Sequence, residues 1–170
     1  MEIIFNPMGF LEHTAIWVKG EVLHGKVMTL LGMVLLLCCF FIWRNGNELL
    51  KGMLIPILLV VLITVGFGTM LMTTRPKHLQ KLVIASRTNQ REVFEKERAR
   101  AFKNQNAYSK YYIAWAIVLM GGLIFFFLTN RLYCKGLALG ILFLAISALI
   151  IDTLMHERSK TYYHAIETMN

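Results

Sequence analysis

Four stretches of this chain carry no charged side chain over a membrane's width, and they limit its fold more than any other feature. They cover residues 27–43, 52–74, 111–130 and 136–151, the last reaching 155 when Asp152 is admitted. Each is close to the ~20 residues whose helix crosses a hydrocarbon core of ~30 Å. A soluble helical bundle would keep one face of every helix polar, yet residues 34–42 and 123–128 are apolar all round. Strands would have to alternate and close into a barrel, which these runs do not do. Composition agrees, with 56% hydrophobic and 16% charged residues against roughly a quarter charged in a soluble domain. Low polarity excludes a disordered chain, and three Cys exclude a disulfide scaffold. The expected fold is an all-α integral membrane protein with a single membrane domain, residues 1–170. Its four transmembrane helices form two antiparallel hairpins, joined within each pair by the short loops 44–51 and 131–135.

Orientation follows from the basic residues. Fourteen Lys and Arg fall on the side that holds the N-terminus, the 75–110 segment and the C-terminal tail 156–170, and four on the other. The positive-inside rule then places both termini in the cytoplasm, and the expected location is the inner (plasma) membrane. No small-residue cleavage site follows the first apolar run, and Met1-Glu2 offers no myristoylation signal, so the spans are expected to anchor the chain.

The segments flanking the spans are also readable. Asn6-Pro7 suits a helix start, and Met8, Leu11, Ala15 and Val18 repeat at helical spacing. A separate interfacial helix over residues 1–20 is expected, bending at Gly20 into the first span. Pro56 predicts a kink near Gly52. Segment 75–110 has ten basic and three acidic residues and no Gly. It predicts a basic cytoplasmic hairpin of two helices, one over 77–87 and one over 90–106, turning at Thr88-Asn89. Asn89 with Glu92 resembles a capping box. Leu79, Leu82, Val83 and Ile84 on one arm, and Phe94, Ala101 and Tyr108 on the other, are expected to pack the arms together.

Chemistry-bearing motifs are sparse. Gly-rich phosphate loops, CxxC pairs and HExxH or GxSxG signatures are absent from the sequence. Asp152 is the ionisable residue inside a span, and such residues are costly and often functional. With His156 one turn on, it is the candidate for an ion- or proton-linked role. Glu21 and His24 have the Glu-x-x-His spacing of carboxylate-bridged metal bundles, so Glu21, His24, Asp152 and His156 form a candidate metal set, and His24 with His156 a candidate haem pair. Gly136, Gly140 and Ser147 share a small-residue face on the fourth span, suited to a neighbouring span or to a homo-oligomer. Arg91, Lys96, Arg98, Arg100 and Lys103 are candidates for binding anionic headgroups or a cytoplasmic or membrane protein partner. Charge without a recognition fold argues against nucleic acid.

These features favour a non-enzymatic interaction, assembly or immunity-type subunit, with no cofactor expected. The alternatives are an oligomeric ion or small-solute channel or transporter with Asp152 in its pathway, and a metal- or haem-dependent membrane oxidoreductase.

Overall fold

The computed structural model describes residues 7–169, apart from the side chains of residues 7, 8 and 107–109. Four helices make up nearly all of it: α1 Pro7–Asn45, α2 Glu48–Ser86, α3 Gln90–Leu128 and α4 Leu132–Glu167. At 1.5 Å per residue each extends about 54 to 58 Å, nearly twice the ~30 Å of a bilayer's hydrocarbon. All four are long and apolar enough to cross a membrane, and each continues beyond its apolar segment as a polar extension. Successive helices reverse direction, so the four extensions gather at one end, which we call the polar end.

Local signals set the turns. Asn89 caps α3: its side-chain oxygen accepts the Glu92 N–H at 3.3 Å, and its amide donates to the Glu92 carboxylate at 3.1 Å. Asn47 caps α2 by accepting the Leu50 N–H at 3.0 Å. The α2–α3 turn thus falls where the sequence places it. The cap expected at Asn6 lies outside the described residues.

One expected break does not occur. The separate interfacial helix over residues 1–20 is replaced by an unbroken α1 that runs through Gly20. The reason is tertiary: Phe10, Thr14, Val18, Glu21 and Met28 recur at helical spacing and are all buried. That buried stripe carries the helix past the glycine. α2 runs through both Pro56 and Pro76 as one helix, with Pro56 buried against α4.

The helices pack in the order α1, α2, α4, α3, with little contact between α2 and α3 or between α1 and α4. Glycines make the close crossings. A Cβ on Gly25 would lie 2.6 Å from the Gly68 carbonyl oxygen, fixing the α1–α2 crossing. At the α2–α4 crossing, Gly136 abuts the Leu49 carbonyl, and a Cβ on Gly140 would lie 2.8 Å from Pro56 Cγ. Of the two uses open to the face of Gly136, Gly140 and Ser147, the two glycines are used within the chain. Both glycines are buried within the chain, because α2 is the nearest backbone able to use them, while Ser147 is half-buried.

α3 lies on the outside. Only 6% of the residues in its most apolar stretch are buried, and Ile113, Ile117 and Phe127 point outward. The molecule exposes 10907 Å², whereas a compact soluble monomer of its mass would expose about 8,500 Å².

Candidate functional site

At the polar end, α1, α3 and α4 share an apolar core of Phe10, Phe94, Ala101, Tyr162 and Ile166. Phe10 and Phe94 meet edge to face with centroids 5.4 Å apart. This corrects the expectation that the α2 and α3 arms pack on one another. Phe94 and Ala101 turn to α1 and α4, whose extensions supply the larger apolar partners, and the Tyr108 side chain lies outside the described ones.

Set into this core is Glu97, 2% exposed. Arg100 grips its carboxylate with two nitrogens, Nε at 2.8 Å and Nη2 closer. Tyr162 donates its hydroxyl to Oε1 at 2.9 Å, and His78 Nε2 lies 3.1 Å from Oε2. Burial alone would raise the carboxyl's pKa, but these donors outweigh it and hold Glu97 down at about 2. Tyr162 also lies 2.9 Å from the Thr14 hydroxyl, which is itself 2.9 Å from the Phe10 carbonyl. With the Tyr162 proton given to the carboxylate, Thr14 donates its single hydrogen either to the Tyr162 oxygen or to that carbonyl. Burial and the adjacent Glu97 charge push the Tyr162 phenol well above its ordinary range.

Trp17 links this cluster to a second one. Its ring stacks on Tyr162 at 4.6 Å and 16°. Arg75 and Arg100 approach the same ring, at 4.8 and 5.1 Å from its centroid. Arg75 Nε is also 3.3 Å from Glu21 Oε2. Glu21 is 1% exposed, and its burial raises the carboxyl's pKa more than Arg75 and Arg158 lower it. One turn along, burial and then Arg158 lower the pKa of the buried His24 imidazole. Arg158 itself donates to the Gly20 carbonyl, tying α4 to α1.

The residues singled out in the sequence separate into different places. Glu21 and His24 face the interior together. Asp152 accepts the Trp115 indole N–H at 2.8 Å, and His156 sets its ring edge-on to Tyr112 at 6.1 Å. Among the described residues, no three His, Cys, Asp or Glu side chains gather as a metal site. The metal set drawn from Glu21, His24, Asp152 and His156 is thus corrected: helical spacing aligned each pair on its own helix, but packing engaged each helix with a different neighbour. Of the basic candidates on α3, Arg91, Lys96 and Lys103 are exposed. Lys96 pairs with Glu92 at 2.6 Å, and Arg98 lies 3.9 Å from Glu95. Arg100 is half-buried, with its guanidinium held on Glu97.

Four central residues, Trp17, Arg75, Glu97 and Tyr162, were not singled out by sequence reasoning as site residues. A signal for Glu97 was present: it stands three residues after Phe94 and four before Ala101, within their apolar stripe.

Polar groups in the apolar segments are mostly engaged locally. Thr29, Thr64, Thr69 and Thr73 donate to carbonyls of their own helices four residues back. The Asp152–Trp115 bond is the short polar link between helices at that level. The chain matches no protein-family model, no curated protein and no solved structure.

Proposed function

We propose that the protein is a non-catalytic, multi-pass subunit of the inner (plasma) membrane that works by interaction, in assembly or immunity against a membrane-acting agent. Both termini lie in the cytoplasm, as the fourteen-to-four division of basic residues argues. The observation that carries this reading is the fate of the polar groups. At the polar end they engage one another across four helices. In the apolar segments the threonines satisfy their own backbones. Such a molecule has a cross-linked polar end and, among the described residues, no continuous chain of polar side chains through its apolar segments, which suits a scaffold better than a conduit. Arg91, Lys96 and Lys103, exposed along α3, are the surface offered to anionic headgroups and to a protein partner.

The test is paired. Purified protein in liposomes should carry no ion flux, while cross-linking in native membranes should yield a discrete complex that Lys96→Glu/Lys103→Glu abolishes. A flux removed by Asp152→Asn would instead establish the conduit.

A further inference from the structure

The gap between α2 and α3 is amphipathic along its length. Because these helices scarcely touch, they leave a groove floored by α4. Toward the polar end it is a cavity of about 390 Å³ whose rim includes Arg75, Asn104 and Tyr111. Phe67, Trp115 and Asp152 are shared with a second cavity, also about 390 Å³, that continues between Ile63, Met70 and Ile151. The groove therefore passes from a cationic, hydrogen-bonding mouth, past Asp152, to a mostly apolar channel, the polarity gradient of a lipid.

Three details narrow the occupant. First, Arg75 lines the mouth with its Nε 3.3 Å from Glu21 Oε2, and its guanidinium carries two further nitrogens to offer. Those two donors form a fork suited to a phosphate. Second, Gly66 lines the apolar channel, and a Cβ there would meet nothing within 4 Å. The glycines at the helix crossings are required by a neighbouring backbone, whereas this helix-weakening residue has no such neighbour. Its missing side chain leaves room for a chain to lie against α2. Third, Asp152 stands between the two halves with Oδ2 engaged by Trp115, leaving Oδ1 to accept from a ligand hydroxyl.

We propose that this groove binds a lysophospholipid with an anionic headgroup. Its phosphate meets Arg75, its free glycerol hydroxyl donates to Asp152, and its single acyl chain runs over Gly66. The two cavities lie end to end in one groove, the course of a single chain, and the strongly basic 75–110 segment complements the headgroup's charge. The inference rests on the chain's being embedded in a membrane, and the experiment separates the two claims.

The protein is first tested for resistance to alkaline carbonate extraction and then exchanged into phosphatidylcholine nanodiscs. It is then examined by native mass spectrometry with added oleoyl-lysophosphatidylglycerol, dioleoyl-phosphatidylglycerol or oleoyl-lysophosphatidylcholine. One lysophosphatidylglycerol should be retained at least tenfold better than either comparison lipid. Gly66→Leu, at an open position, should abolish retention with helicity unchanged. Asn104→Asp, which sets a negative charge at the mouth, should weaken retention about tenfold and serves where Gly66→Leu fails to fold. Asp152→Asn should erase the preference over the diacyl lipid. Equal retention of the diacyl or the choline lipid, or variants that retain the ligand as the parent does, would overturn the groove assignment alone. Release of the protein by carbonate would overturn the membrane reading on which it stands.

Discussion

Glu97 and Glu21 are both buried carboxylates beside arginines, yet their surroundings give them opposite effects on stability. Glu97 has three kinds of donor on it, and its pKa falls from 4.5 to about 2. That depression corresponds to about 3 kcal/mol of stabilisation, taking 1.36 kcal/mol per unit. The contribution is complete above the ordinary carboxylate value and is lost as pH falls through about 2. Glu97→Gln should destabilise the protein by about 3 kcal/mol, because it removes the buried charge that Arg100, His78 and Tyr162 all engage. Glu92→Gln, on the exposed Lys96 pair, should leave the unfolding midpoint unchanged. Tryptophan fluorescence during chemical unfolding in detergent measures both, since Trp17 stacks on Tyr162. Glu21 has its pKa raised, so its charge opposes folding above that folded value, and stability rises as pH falls through it toward 4.5. Glu21→Gln should therefore unfold with a midpoint that lacks this rise on mild acidification, whereas Glu97→Gln should keep it. Much of this was unreadable from sequence. Glu97 and Arg100 stand three apart and read equally well as a solvated helical pair; burial came from α1 and α4, more than sixty residues away in either direction.

Among the elements, those governed by local chemistry were the legible ones. The Asn89 cap and the turn before it depend on a few consecutive residues, and the structure has them where the spacing predicts. Gly20 failed as a bend because glycine permits one without requiring it, and the buried stripe on α1 favoured a continuous helix. The Gly136/Gly140 face was legible as a close-packing surface, but nothing in one chain's sequence says whose backbone approaches it. Its use within the chain gives a clear expectation. Gly140→Leu should drive a side chain into Pro56 and lower the unfolding midpoint, at a cost of about 1–3 kcal/mol or more. Gly121→Ala, where a Cβ meets nothing within 4 Å, should leave the midpoint level or raise it slightly. Light scattering on the folded variants should show one unchanged oligomeric state for both. A Gly140→Leu protein that dissociates while keeping its midpoint would instead make that face an interface between copies.

For the whole molecule, the proposed topology puts the polar end in the cytoplasm and the α3–α4 connection outside. Cys134, at the start of α4 and half-buried, should react in intact cells with a membrane-impermeant thiol reagent after Cys38→Ser/Cys39→Ser. A cysteine introduced at Arg87, in the opposite turn, should react only after the cells are opened. The reverse pattern would invert the molecule. The packing order also bears on how such a protein is made. α1 and α2 are neighbours in sequence and in space, so they can pair as soon as both have emerged. Among the described residues α3 packs chiefly on α4, and α4 is synthesised last. At ~5–20 residues per second the ribosome needs roughly 2 to 8 s to complete α4. On the proposed topology, α3 spends that interval beside the nascent pair before its main helical partner exists, so the α3–α4 contact is the last that synthesis permits.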